Sequence, residues 1–343
     1  MNIASEIDEK ELLTSLENNI NAADSYAESE IGEQRDKGYK YYYGQPMGNE
    51  RTGRSQHVSM DVFDGVESIK SMLLDCFTAD RNVCKFEAQS AEDFIPAKMA
   101  TALTNFIFYR ENNGHKILHD VLHDALIAKT GIVKRYYKDD YQYEEETFEA
   151  LDEASFNMLG ADDAVTIMEL DEDSQMQQTQ DPQTGQVFDV EVKLYTGELV
   201  RKIDKSRVVI EVIQPEDFLI TPRATDENDA DFCSHRTTRT RGELLSEGYD
   251  EDIVAKLDED RDSHNDGGDG RDSVDSSSTK SHFDADNDRE YVTVYESYIK
   301  KYRDDLKKCV FLKCFHSRTV LLDVEIVSEK PFRYFTPFPL SRV

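Results

Sequence analysis

The chain has 343 residues and carries 40 Lys and Arg against 71 Asp and Glu, a net charge of −31. That balance excludes a protein held to nucleic acid by neutralising phosphates, although DNA that must pass without sticking is compatible with it. The length suffices to bury a sizeable core, as one large or two ordinary domains.

The N-terminus, MNIASEIDEKELL, is acidic and polar and is no signal peptide. No apolar run approaches the roughly 18 residues that span a bilayer, so a soluble protein without a membrane partner is expected. Residues 6–38 read as a charged helix, with Leu12, Leu13, Leu16 and Ile20 at helical spacing. Between them and the next helix lies GNERTGRSQHVSM, where Arg51 and Arg54 flank a glycine and His57 to Met60 reads as extended. Ser59 or Asp61 is placed to cap a second helix whose apolar positions are Val62, Val66, Ile69, Leu73 and Phe77. A third helical region covers about 96–129 and should break near Gly114 in ENNGHK.

The period then changes from helical to alternating. GIVKRYY (131–137) is rich in β-branched and aromatic residues. QVFDVEVKL (186–194) alternates Phe188, Val190, Val192 and Leu194 with charged residues, and DPQTGQ before it and YTGE after it read as turns. RVVIEVI, REYVTVYESYIKKY, KKCVFLKCF and TVLLDVEIV supply further strands, so a mostly antiparallel meander is expected. From Asp139 to Val192 there is no Lys or Arg, which reads as a solvated face or mobile insertion. Asp258–Asp288 is Asp, Ser and Gly with almost no apolar residue and reads as a disordered loop.

Chemistry-bearing clusters are few. His115, His119 and His123 stand four apart on a helix, a spacing that can share a metal. No HExxH base accompanies them, and His119 and His123 border the apolar stripe of Leu118, Leu122 and Ala125, so packed boundary rings are the preferred reading. DADNDRE (284–290) starts like a calcium loop but has Arg289 where glycine belongs and Tyr295 where the bidentate glutamate belongs. Arg236, Arg239 and Arg241 form the densest basic run, directly after acid-rich TDENDADF, which favours ion pairing over phosphate contact. RTRGELLSEGYDEDIVAKL reads as two short helices, with Leu244, Leu245, Ile253, Val254 and Leu257 apolar; its second helix opens DEDIV and would repel a DNA backbone. Five cysteines, irregularly spaced, make no disulfide framework, and Cys309 and Cys314 lack a second pair for zinc, pointing to a reduced, cytosolic origin. Catalytic, cofactor and metal residues are all expected to be absent. Two alternatives remain open: a metal-dependent enzyme on the His115, His119 and His123 face, and an acidic calcium-responsive binding module.

Four stretches in succession carry a resemblance: YKYYYGQ…NERTGRSQHVSMDVFDGVESIKSMLLDCF, then NFIFYRENNGHKILHDVLHDALIAKTGIVKRYY, then VIQPEDFLITPRATDENDADFCSHRTTRTRGELLSEGYD, and EKPFRYFTPFPL. Together, from about residue 35 onward, they resemble the portal proteins of short-tailed bacteriophages. The resemblance implies a non-enzymatic virion protein that forms a ring, usually of twelve copies, at one capsid vertex. Such a ring is assembled in the host cytoplasm and serves genome packaging, retention and ejection. Its implied partners are the capsid, terminase, scaffold and tail adaptor, with viral double-stranded DNA passing through the channel. The implied fold is α+β, with N-terminal helices packed on a mostly antiparallel meander or sandwich. Residues 1–130 would be the mainly helical part of a wing region, and residues 131–343 its β-rich part with the acidic insertion 258–288. Portals of this type are roughly twice as long, so stem, clip and crown are expected to have no counterpart here.

Overall fold

A computed structural model describes residues 9–48, 53, 57–80, 82–180, 187–222, 224, 229–257, 291–303, 307–327 and 334–339. Arg51, Arg54, the DPQTGQ turn, the acidic tract 258–288 and the calcium-like stretch 284–290 lie outside the described residues. The architecture is α+β with mostly antiparallel sheets, as expected. The chain divides into two compact units, one of residues 1–135 and 210–343, the other of residues 136–209.

In the first unit, α1 (Glu9–Tyr26) continues through a π turn at Ala27–Gly32 into α2 (Glu33–Tyr42). Leu12, Leu16, Ile20 and Ala23 recur every three or four residues and form the buried face of α1. Each of the three large side chains contributes about 1.5–3 kcal/mol by leaving water. Gly38 lets α2 approach α5 (Gly114–Ile127), because a Cβ there would stand 2.8 Å from the Ile127 carbonyl oxygen. The helix break expected near Gly114 is present: α4 (Phe94–Phe106) runs into a π turn at Ile107–Glu111, and Asn113 takes a left-handed φ of 51° before α5 begins.

Three helical expectations need correction. α3 (Asp61–Thr78) starts after Met60 with no side-chain cap, so neither Ser59 nor Asp61 caps it. Its packed side is not the whole expected stripe. Phe63 and Val66 lie against Tyr39, Tyr42 and Ile127, whereas Val62, Ile69 and Phe77 are exposed. On α5 the buried positions are Gly114, Ile117, Val121, Asp124, Ala125 and Ile127, with Leu118 and Leu122 only half-buried. One residue of offset is 100° of rotation, enough to move the contact face.

The strands of this unit make two sheets. Five strands order as β10 (Leu321–Val327), β9 (Lys308–His316), β8 (Tyr291–Arg303), β7 (Phe232–Thr240) and β6 (Phe218–Ile220), antiparallel at every pair. The other sheet orders β11 (Phe335–Pro339), β1 (Thr130–Lys138) and β5 (Arg207–Ile213). Strand alternation divides the core. Phe232, Tyr295 and Ile299 meet Leu12, Leu16 and Ile20 of α1 on one face of the five-stranded sheet. Cys233 and Tyr298 meet Ile132, Ile213 and Phe335 of the smaller sheet on the other. Short helices α7 (Arg241–Ser246) and α8 (Glu251–Val254) add Leu244, Val254 and Leu257 over Val292 and Val294. A complete capping box, Thr240 with Glu243, starts α7.

The second unit is a sheet ordered β2 (Tyr141–Asp152), β4 (Val187–Asp204), β3 (Val165–Gln180), with α6 (Glu153–Gly160) between β2 and β3. Of the two readings of this charge run, the solvated face holds, whereas the segment is folded into strands rather than a loose insertion. Acidic residues occupy solvent-facing positions of regular strands, and a small core of Phe148, Tyr195 and Leu199 lies with Phe156 and Leu159 of α6. YTGE is no turn. β4 runs through it, and Gly197 is needed because a Cβ would collide with the Glu169 carbonyl oxygen on β3.

Candidate functional site

His115, His119 and His123, whose spacing could share a metal, lie along α5. His115 is exposed on α5. His119 Nδ1 lies 2.9 Å from Asp120 Oδ1. His123 meets Tyr42 edge-on at 5.3 Å, and the rings of His119 and His123 stack 6.3 Å apart. Tyr42 in turn donates to Glu67 at 2.7 Å, and Lys70 donates to the same carboxylate at 2.6 Å. Those donors, Lys70 foremost, hold the Glu67 carboxyl below its ordinary range. His123 and its neighbours thus knit α5, α2 and α3 together. Among the described residues no group of three or more His, Cys, Asp or Glu is arranged to hold a metal ion.

A second constellation escaped sequence reading. Lys134 of β1 and Glu296 of β8 pair at 2.7 Å between the two sheets. Glu296 also accepts from Tyr298 at 2.8 Å, and Lys313 stands 3.8 Å away. His235 Nδ1 lies 3.4 Å from Lys134 Nζ, placing it to accept from the ammonium group. Burial pushes the Glu296 carboxyl up, but Lys134 and Lys313 outweigh it and the group stays ionised below its ordinary range. Burial, reinforced by the Lys134 charge, pushes His235 down to about 3. Tyr298 is driven well above its usual range by burial and by the Glu296 charge. The node is a satisfied ion pair that bridges the two sheets, with Lys134 buried and Glu296 largely so.

On the α1 side of the same sheet, Ser297 Oγ lies 2.8 Å from His316 Nε2 and 2.8 Å from Ser234 Oγ. His316 Nδ1 lies 2.7 Å from the Ser317 carbonyl oxygen, so Nδ1 carries the proton and Nε2 accepts from Ser297. A serine beside a histidine suggests a nucleophile and its base. Ser234, Ser297 and His316 are 0%, 0% and 1% exposed, which denies a substrate any approach. Burial also holds His316 down at about 4. The triple is core packing with its hydrogen bonds satisfied.

The arginine run is spent internally, in line with the ion-pairing reading. Arg236 donates to Asp217 at 3.1 Å and to the Glu216 carbonyl at 3.0 Å. Arg239 reaches Glu247 at 2.8 Å, and Arg241 donates to the Leu257 carbonyl at 2.8 Å. Arg236 and Arg318 both approach Asp24 of α1, at 3.9 and 3.8 Å. These contacts tie α1 and the helical corner α7–α8 to the large sheet. Among the described residues, no helix is long and apolar enough to cross a membrane.

Fold and constellations together define an α+β protein whose recognisable polar clusters serve internal pairing and packing. The profile of a family described as Phage SU10 portal protein matches residues 12–342, and the chain belongs to that family. It is thus a bacteriophage portal protein, a component of the virion capsid, as the resemblance implied. A search of curated proteins found no match.

Proposed function

We propose that this portal protein acts as a ring, usually of twelve copies, at one vertex of the capsid. The ring admits the genome during packaging, retains it, and releases it at ejection. Residues 1–130 form the helical part and residues 131–343 the β-rich part of its wing region. Capsid, terminase, scaffold and tail adaptor are its protein partners, and assembly takes place in the host cytoplasm. The observation that carries this reading is the family match over residues 12–342. The net charge of −31 agrees with it, since a surface of that sign lets duplex DNA slide past without capture. So does the use of Arg236, Arg239 and Arg241 in internal contacts. Native mass spectrometry of the purified protein tests it. A closed species of about twelve copies is expected for a ring of this symmetry; a monomer at every concentration would refute it. Electrophoretic shift assays at physiological salt should find no binding of free duplex DNA. Micromolar binding with a steep salt slope would mean instead that this region grips DNA.

A further inference from the structure

α4 is built inside out. Its polar side is used internally: Asn105 Oδ1 accepts from Val83 N at 2.6 Å, and Asn105 Nδ2 donates to the Cys84 carbonyl at 3.2 Å. Thr101 Oγ1 accepts from Phe86 N at 3.0 Å. These bonds strap the extended segment 82–86 along the helix. The apolar stripe faces water. Ile95, Met99, Leu103 and Phe106, spaced four, four and three apart, share one side of the helix and are 68%, 67%, 60% and 52% exposed. Val83 and Phe86 on the strapped segment are exposed as well, and no residue of α4 is buried. An amphipathic helix normally turns such a stripe inward, and an apolar surface left outside marks an interaction site.

Charge indicates what covers it. Phe94 to Arg110 is a run of 17 residues without Asp or Glu, a length matched only by residues 306–322, and it carries Lys98 and Arg110. Setting those two aside leaves 38 basic residues of the 40 against all 71 acidic ones. A second copy therefore offers a predominantly acidic surface to a strip that is apolar and weakly basic. Contacts between two acidic faces repel; this one attracts.

We propose that α4 and segment 82–86 form one side of the contact between neighbouring copies, meeting a different, acidic surface of the next copy. Such a head-to-tail contact closes into a ring when its rotation permits, whereas a patch paired with itself stops at a dimer. This rests on the ring reading above and names the surface that makes the ring.

The full chain is compared with two double variants by sedimentation velocity over a concentration series. One is Met99→Glu with Leu103→Glu on α4. The other is Met158→Glu with Met176→Glu, residues 78% and 74% exposed in the other unit, with the same change of charge. The native chain and the second variant should assemble alike. The α4 variant should need at least about 30-fold more protein to assemble, the cost of one interface hot spot. Independently, amine–carboxylate cross-linking of mixed ¹⁴N and ¹⁵N native protein should join Lys98 to acidic residues of another copy. An α4 variant that assembles like the native chain overturns the proposed surface and leaves the ring reading standing. Equal disruption by both variants, or Lys98 cross-links within one copy only, also overturns it, since general repulsion or another part of the same chain would then explain the stripe. A native chain that stays monomeric overturns both readings.

Discussion

The two units solve the same problem, burying one face of an antiparallel sheet, to different extents. In the first, the five-stranded sheet is covered on both faces, by α1 on one side and by the β11–β1–β5 sheet with α7 and α8 on the other. There the interior is thick enough to bury a lysine and two histidines with their partners. In the second, one eight-residue helix shelters three aromatic or aliphatic side chains of a much longer sheet, and the charges remain in water. Residues 136–209 hold 19 acidic and 6 basic residues, a surplus of 13 negative charges that water must solvate. The lesson is that secondary structure content says little about stability. The number of covered faces decides which charges are structural and which are only solubilising.

The sharpest way to break this contrast is Lys134→Ala in the first unit. It leaves Glu296 buried without its main partner and should cost about 3–5 kcal/mol in chemical denaturation. Lys134→Met combined with Glu296→Leu should recover most of that loss. Failure to recover would mean that the pair stabilises the core beyond compensating its own burial. Next in size, Leu16→Ala should cost about 3 kcal/mol of the first unit's stability by opening a cavity under the sheet. The matching change in the second unit, Leu199→Ala, should act locally. Hydrogen exchange should quicken across residues 136–209 while protection of α1 and β8 stays unchanged. Quickening of both together would show that the two units open as one.

Acid sharpens the comparison further. His235 and His316 titrate near 6.5 when unfolded but at about 3 and about 4 when folded. Between those values the unfolded chain binds more protons, so stability falls as pH drops from about 6.5 towards 4. At pH 5 the loss should be about 2 kcal/mol per histidine relative to neutral pH. Glu296, held below its ordinary range, adds to the loss at still lower pH. His235→Gln with His316→Gln should flatten the pH 5–6.5 part of a thermal-melting profile; an unchanged slope would place the titrating groups elsewhere. The smallest effect belongs to Arg201→Ala in the second unit, which removes a half-exposed bidentate pairing with Glu146 and the approach of Asp162. A loss of no more than about 1 kcal/mol is expected, because pairs open to water gain little. A clear drop would show that the sheet depends on its surface charges.

Much of the first unit is legible in the sequence because its periodicities are clean. Leu12, Leu16 and Ile20 state the α1 face outright, and KKCVFLKCF and TVLLDVEIV state β9 and β10. β2 and β3 were hidden because acidic residues at solvent-facing positions imitate a linker, and β7 because its basic run drew attention from its backbone. Lys134 and Glu296, 162 residues apart, become partners only when two sheets are stacked, and no local pattern announces that. The stripe of α3 is legible as apolar, yet Val62, Ile69 and Phe77 on it face water; for α4 the sequence states a helical region and no stripe. A sequence shows that a face is greasy, not whether its cover belongs to the same molecule.

One pairing reaches into the history of each molecule rather than its stability. β11 is zipped to β1, with Phe335 opposite Lys134 and fully enclosed, and the bridged residues Arg135 and Thr336 lie 201 positions apart. That strand completes the small sheet and seals the chamber over Cys233 and Tyr298. During synthesis the helices and β1 emerge long before β11 exists, so the sheet stays open until translation has passed residue 339. Pairing at such separation is slow to find, and until then an unzipped strand edge and its apolar side chains stand bare. In the proposed ring, a subunit would join only once this late strand is in place, so the timing of closure would set when assembly starts.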